Sequence, residues 1–228
     1  MKSPLSGLRG LRGAGMPQPQ RVTEEIARSQ RESENWVAGA QVAVIAFAAF
    51  AYTFTPRGFS PDAPIAALQL GLVALFLLIA LRAWFAYSGQ LSRPVLAASV
   101  VAGMAVLIGI LWGFAPQYET SLPIALKNAL FVSIFVLIAL RALRFEPVWV
   151  WLSGLTAAIG WATLAYFAWR QAGPSGQTMD FVVGATTGRF DLHDEAIRIV
   201  VILIVTAVLA IALMRARLTL ARAVRASQ

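Results

Sequence analysis

The residues best suited to chemistry follow one another in a short polar segment: Asp191, His193, Asp194 and Glu195. Carboxylate and imidazole groups can ligate a divalent metal, and a histidine can also make a site sensitive to pH. The alternative is a helix start, where carboxylates accept hydrogen bonds from free backbone N–H groups and meet the positive end of the helix dipole. We favour the helix start over a metal site at His193, Asp194 and Glu195, and we expect Glu195 to pair with Arg198.

A second segment, residues 215–228, is basic and contains neither Gly nor Pro, so we expect it to prolong the apolar helix before it. Met214 and the apolar side chains of this segment lie on one face of the helix, and most of its arginines lie on other faces. Such a helix either lies on anionic lipid or pairs in a dimer and passes movement to a following domain. The residues that we assign to signal output are Arg215, Arg217, Leu218, Ala221, Arg222 and Val224.

The residue types needed for most enzyme chemistry are scarce in the whole chain. It has no Cys and a single His, which excludes thiolate nucleophiles, disulfides, cysteine metal sites and bis-histidine haem ligation. We therefore expect no catalytic residue, no bound cofactor and no metal in these 228 residues.

Composition places these segments in a membrane protein. Hydrophobic residues make up 58% of the chain and charged residues 13%, against about 45–50% and ~25% in soluble domains. A helix needs ~20 apolar residues to cross the ~30 Å hydrocarbon layer. Six stretches qualify, so the predicted fold is an all-α integral membrane protein, a six-transmembrane helix bundle. The predicted spans are residues 36–54, 64–87, 95–114, 124–143, 147–169 and 196–214.

The interiors of these spans carry mostly Ser, Thr and Gln as polar residues and almost no ionisable ones, which argues against a pump or coupled transporter. Lys127, near one end of the fourth span, is expected to extend its ammonium group to the membrane interface. Gly109 and Gly113 form a small-residue pair in the third span, which we expect to serve helix packing within the chain.

The distribution of basic residues predicts the orientation. If the N-terminus is cytoplasmic, 14 of the 19 Lys and Arg residues face the cytoplasm, so both termini are expected inside. Arg82, Arg141 and Arg215 each follow an apolar run at the end of an even-numbered span, where a positive stop is expected. The net charge of +8 then indicates contact with anionic lipid, with no nucleic-acid partner. The predicted segments are a disordered cytoplasmic tail (1–21), a juxtamembrane helix (22–35), the membrane domain (36–214) and a cytoplasmic signalling helix (215–228).

Several stretches resemble a known membrane domain. The run IALRALRFEP at 138–147, followed by LSGLTAAIGW at 152–161, is similar to the six-span domain that precedes the catalytic domain in many bacterial class III adenylate/guanylate cyclases. Further similarities are Trp112, Gln117, Tyr118 and Pro123 before the fourth span, the run 194–197 at the start of the sixth, and the arginine-rich segment after Met214. The resemblance covers roughly residues 36–225.

The resemblance implies a receptor-like bundle in the bacterial cytoplasmic membrane that regulates a cyclase homodimer, which makes cyclic AMP from ATP with two divalent metals. These 228 residues contain no cyclase domain, so no catalytic residue carries over and we expect no cyclase activity from them alone. The expected partners are the lipid bilayer, a second copy of the chain, and a cytoplasmic cyclase domain in the same longer chain. The alternatives are a small stand-alone transporter or channel, and a passive dimerising membrane anchor.

Overall fold

The computed structural model of the chain describes residues 37–50, 54, 67–90 and 92–226. The predicted tail and juxtamembrane helix, residues 1–35, lie outside the described residues. The helices are α1 (Val37–Phe50), α2 (Ala67–Tyr87), α3 (Arg93–Gln117), α4 (Leu122–Ala125), α5 (Val132–Ala142), α6 (Pro147–Ala172), α7 (Phe181–Thr187) and α8 (Leu192–Ala226). Short 3-10 turns occupy Ala129–Phe131 and Pro174–Gly176.

The predicted all-α fold is confirmed for the described residues, in which the β-structure is one isolated bridge between Gln177 and Phe190. Four helices in this part of the chain are long and apolar enough to cross a membrane: Ala67–Tyr87, Arg93–Gln117, Pro147–Ala172 and Leu192–Thr219. They correspond to the second, third, fifth and sixth predicted spans. The chain therefore has the helices of a membrane protein.

The fourth predicted span is shorter in the structure, where its apolar helix covers Ala129–Ala142. These fourteen residues rise only about 21 Å, which is less than the ~30 Å of a hydrocarbon layer. In the first predicted span the structure describes the helix Val37–Phe50.

Residues 124–143 do not form the single helix that their hydropathy predicts. Helix α4 ends at Ala125, and the chain turns through Lys127 and Asn128 before helical structure resumes at Ala129. The side chain of Asn128 accepts a hydrogen bond from the backbone N–H of Leu130 at 3.0 Å, which caps the new helix start. A polar cap inside an apolar run thus divides the predicted span. We call residues 122–131 the broken segment.

The core lies among α3, α5, α6 and α8, and its most buried side chains include Leu111, Ile134, Trp161 and Ile202. Helix α8 packs chiefly on α6, while α3 packs on both α2 and α6. By contrast, α2 leaves large apolar side chains such as Leu77 exposed. In lipid such exposure costs little, because acyl chains are as apolar as leucine.

Small residues let the helices approach closely. A β-carbon on Gly113 would overlap Ala67 of α2, and one on Gly154 of α6 would overlap Thr206 of α8. A β-carbon on Gly109 would meet open space. Of the glycine pair predicted to serve packing, Gly113 brings α3 against α2, whereas Gly109 makes no such close approach to the described part of the chain.

Candidate functional site

The side chain of Arg198 is the centre of a polar cluster at the N-terminal end of α8. Its Nη1 donates to the carbonyl oxygen of Leu126 at 2.6 Å, and its Nη2 donates to Asp194 Oδ2 at 2.8 Å. Nη1 also lies 3.4 Å from Glu195 Oε1, which confirms the predicted pairing of Glu195 with Arg198. One guanidinium group thus joins α8 to the broken segment.

The carboxylate of Glu195 is 4% exposed and has a second partner on another helix. The indole N–H of Trp161, on α6, donates to Glu195 Oε2 at 2.8 Å. The Arg198 guanidinium also lies over the rings of Trp161 and Phe131, at 5.7 and 5.6 Å from their centroids. A charged hydrogen bond shielded from solvent is stronger than an exposed one, so these groups hold α6 and α8 in one relative position. We call Trp161, Asp194, Glu195 and Arg198, with the Leu126 carbonyl, the α8 clamp.

The broken segment has further attachments. The backbone N–H of Leu122 donates to Gln171 Oε1 of α6 at 2.9 Å. The ammonium group of Lys127 donates to the backbone oxygen of Gly184 in α7. Gly188 follows α7 with a left-handed backbone (φ 71°), and a β-carbon there would lie 2.7 Å from Ile124. Residues 184–188 and the broken segment therefore pack on each other.

The helix-start interpretation of the polar segment holds with a different capping residue. Asp194 and Glu195 lie in the first turn of α8, as predicted. The backbone N–H groups of His193 and Asp194, however, donate to Asp191 Oδ1 at 2.9 and 3.5 Å. Asp191 is thus the cap, and the other two carboxylates instead bind Arg198.

Within the described residues, no group of three or more His, Asp and Glu side chains is arranged to hold a metal ion. A small pocket of about 290 Å³ adjoins the clamp, and both signs of charge face it. Its charged lining residues are Lys127, Arg189, Asp191, Asp194, Glu195 and Arg198. This arrangement provides a polar joint between α8 and the broken segment.

A larger cavity of about 830 Å³ lies among α1, α2, α3 and α5. Its walls are mostly apolar, and its charged lining residues in the described chain are Arg82, Lys127 and Arg141. Arg82 Nη1 donates to Gln41 Oε1 of α1 at 3.4 Å. A β-carbon on Gly103 of α3 would lie 3.5 Å from Arg141 Nη2, so a small residue accompanies that guanidinium. The volume is within the range of about 300–1,000 Å³ that is typical of ligand sites.

Two of the arginines that were predicted as positive stops are buried among the helices. Arg82, Arg141 and Glu195 are each no more than 5% exposed. Among the described residues the bundle therefore encloses three ionisable side chains.

The signal-output residues lie on one continuous helix. Helix α8 runs from Leu192 to Ala226 without interruption, as the absence of Gly and Pro predicted. Met214 and Leu218 are 43% and 59% exposed, and Arg215, Arg217 and Arg222 are exposed. The side chains of Ala221 and Val224 lie outside the described set. The apolar face of this end is thus uncovered at both of its described positions.

Sequence reasoning missed four contributors to the clamp region: the indole of Trp161, the amide of Gln171, and the carbonyls of Leu126 and Gly184. Every residue has a backbone carbonyl, so the residue type does not indicate which carbonyl accepts a side-chain hydrogen bond. Trp161 did offer a signal, because a tryptophan among small residues inside an apolar helix needs a partner for its N–H group.

No family model matches the chain, and neither a curated protein nor a solved structure matches it.

Proposed function

We propose that this chain is the membrane sensory domain of a bacterial class III cyclase, and that it regulates cyclic AMP synthesis through a dimer of its last helix. In this proposal the chain crosses the cytoplasmic membrane six times with both termini inside.

The continuity of α8 is the observation that most supports this function. Its 35 residues rise about 52 Å, which exceeds the ~30 Å hydrocarbon layer by several turns. One rigid element therefore reaches from the α8 clamp to the exposed face at Met214 and Leu218. A shift at one end of such a helix must move the other end.

The clamp gives the proposed input a physical form. Arg198 and Glu195 join α8 to α6 and to the broken segment, so any displacement of that segment changes the contacts of α8. A signal acts when it favours one of two arrangements of a packed element over the other. ATP and divalent metals belong to the attached catalytic domain, and no residue of this chain has a role in binding them.

The first test is to read the gene past Gln228. We expect a class III cyclase domain in frame, and a stop codon there with no neighbouring cyclase gene contradicts the proposal. The purified 228-residue chain is expected to make no cyclic AMP, and measurable synthesis by it contradicts the assignment.

The second test rotates the C-terminal end of α8 about the helix axis, in the longer protein that includes the cyclase domain. Two residues inserted after Thr219 rotate the following helix by about 200°, whereas seven residues return it to within about 20° of its original face. We expect the two-residue insertion to change cyclic AMP synthesis in membranes about tenfold and the seven-residue insertion to restore it. If the parent protein and both insertion variants make cyclic AMP at the same rate, passive anchoring is sufficient to explain the role of this chain.

The large cavity and the broken segment favour a second candidate, a small transporter, because such proteins combine interrupted helices with a binding site among the spans. Transport would need polar side chains along its path, and of two polar residues within the predicted spans Ser133 lines the cavity, whereas Gln69 is exposed on α2. Solute flux through the reconstituted chain that is lost in Ser133→Leu supports transport. Absence of flux for ions and small organic solutes leaves the sensory function.

A further inference from the structure

The cavity of about 830 Å³ among α1, α2, α3 and α5 is long as well as large. Leu68 and Arg82 both line it, and the fourteen residues between these positions on α2 rise about 21 Å. Between them, α2 lines the cavity with leucine and isoleucine side chains. The cavity is therefore an extended apolar channel, with a shape suited to one flexible hydrocarbon chain.

At one end of this channel the polar side chains bond within the protein. Arg82 Nη1 donates to Gln41 Oε1, and the hydroxyl of Ser99 donates to the carbonyl oxygen of Leu96 at 2.7 Å. Helices α2 and α3 run antiparallel, so the end of α2 and the start of α3 lie at this same end. These groups do not need a ligand to complete their hydrogen bonds.

The polar side chains toward the opposite end are Thr120, Asn128 and Ser133, and we call this the donor end. Asn128 Oδ1 accepts the hydrogen bond of Leu130, but in the described part of the chain the nitrogen of that amide has no partner. The hydroxyls of Thr120 and Ser133 likewise have no hydrogen-bond partner among the described residues. Polar groups in apolar surroundings are costly unless they are hydrogen-bonded. The donor end can therefore donate hydrogen bonds to an acceptor on a bound molecule.

The charge near the donor end is already balanced within the protein. Among the described lining residues, the cation at this end is Lys127, which donates to the backbone oxygen of Gly184. Lys127 also faces the small pocket that Asp194 and Glu195 line. An uncharged acceptor such as a carbonyl oxygen thus suits the donor end better than an anion.

Two aromatic rings line the same end of the channel. The rings of Phe114 and Tyr118 are stacked, with their centroids 5.4 Å apart and an interplanar angle of 13°. A flat ring beside this pair can make the offset or edge contacts that aromatic groups prefer. The donor end thus combines hydrogen-bond donors with an aromatic surface.

We propose that this cavity binds an isoprenoid quinone, with its ring at the donor end and its prenyl chain along α2 toward Arg82. The carbonyl oxygens of the ring accept hydrogen bonds from Thr120, Asn128 and Ser133, and the leucine-rich wall covers the chain. A two-chain lipid would need a second channel. The inference concerns binding by this chain alone, so it goes beyond the cyclase proposal and does not depend on it.

The test compares three probes. Decylubiquinone, n-decylbenzene and palmitate are titrated separately into the purified chain in detergent, and binding is followed by native mass spectrometry. Decylbenzene has the decyl chain and an aromatic ring but lacks the carbonyl oxygens. We expect one decylubiquinone per chain, bound at least about tenfold more tightly than decylbenzene, because the carbonyl oxygens accept hydrogen bonds. Equal binding of these two probes, or tighter binding of palmitate than of decylubiquinone, overturns the proposal.

Substitutions that remove one hydroxyl locate the ring. Ser133→Ala and Thr120→Val are each expected to weaken binding of decylubiquinone about fivefold and to leave binding of decylbenzene unchanged. Ser99→Ala is the matched control, because it removes a hydroxyl that lines the opposite end and already donates to Leu96. Loss of quinone binding in Ser99→Ala, with no loss in the other two variants, overturns the assignment of the donor end.

A further variant tests whether the probe lies in the channel. Leu137, on α5, lines the cavity, and Leu137→Trp fills part of it without changing its charge. We expect this variant to lose binding of both decylubiquinone and decylbenzene. Unchanged binding of decylubiquinone would place the probe elsewhere on the protein and overturns the proposal.

Discussion

The two ends of α8 differ in how they are joined to the rest of the chain. At the N-terminal end, Arg198 and Glu195 have partners on α6, in the broken segment and within α8 itself. At the C-terminal end, Met214 and Leu218 keep much of their apolar surface exposed. One helix thus combines an end whose position is fixed by many contacts with an end that is available for others. This division suits an element that receives a constraint at one end and delivers it at the other.

The largest effect is expected when Arg198, the centre of the α8 clamp, is removed. Arg198→Ala leaves the buried Glu195 carboxylate without its cation, and breaking such a pair costs about 3–5 kcal/mol. We expect unfolding of the variant in detergent at a markedly lower temperature. Arg170→Ala, which removes an exposed arginine near the end of α6, serves as the control. If the unfolding temperature of Arg198→Ala falls no further than that of the control, the α8 clamp does not hold α8 in place.

The next largest effect is expected where α8 packs closely on α6. In Gly154→Ala the added β-carbon overlaps Thr206, and overpacking of this kind costs about 1–3 kcal/mol. Gly109→Ala is a matched control, because the new β-carbon meets open space and alanine favours the helix by about 0.5–1 kcal/mol. Thermal unfolding of the two variants should therefore shift in opposite directions. Equal shifts would mean that Gly154 is not a packing contact.

A substitution near the fixed end should increase stability. Gln117, at the end of α3, is buried, and within the described residues neither atom of its amide group has a hydrogen-bond partner. A buried amide without a partner costs about 1–3 kcal/mol, so Gln117→Leu is expected to stabilise the fold by about 1 kcal/mol. The measurement is again thermal unfolding in detergent. Destabilisation would indicate that the amide has a partner outside the described residues.

The smallest effect is expected at the free end. Leu218→Ala removes an exposed side chain, so the stability of one chain should change by less than about 0.5 kcal/mol. Disulfide cross-linking tests this end of α8 more directly than stability does. The chain has no native Cys, so any disulfide must come from an introduced one. In membranes, Leu218→Cys is expected to form a disulfide between two chains more readily than Arg217→Cys on the adjacent face. Equal cross-linking would contradict a dimer contact on this face.

Sequence reasoning succeeded where length and hydropathy decide the structure. Four of the predicted spans have matching helices, and the continuity of α8 follows from the absence of Gly and Pro in its second half. The pairing of Glu195 with Arg198 followed from helical spacing alone. These are local properties, and a local pattern suffices to predict them.

Features that depend on distant partners were not predictable in this way. The break at Asn128 lies within an apolar run, and one polar residue hardly changes the hydropathy averaged over a whole span. The burial of Arg82 and Arg141 depends on contacts with Gln41 of α1 and Gly103 of α3, which lie far away in the sequence. The cavity arises from four helices that meet in space, and no one segment carries its signal.

The short apolar helix Ala129–Ala142 also has a consequence for the surrounding bilayer. At about 21 Å it matches a hydrocarbon layer roughly a third thinner than the ~30 Å average. In the proposed six-span arrangement, lipids next to this side of the bundle must compress, or the polar backbone at Lys127 and Asn128 must draw water inward. Acyl-chain length in the host membrane would then act directly on the segment that Arg198 attaches to α8, and thicker membranes would place that attachment under greater mechanical load.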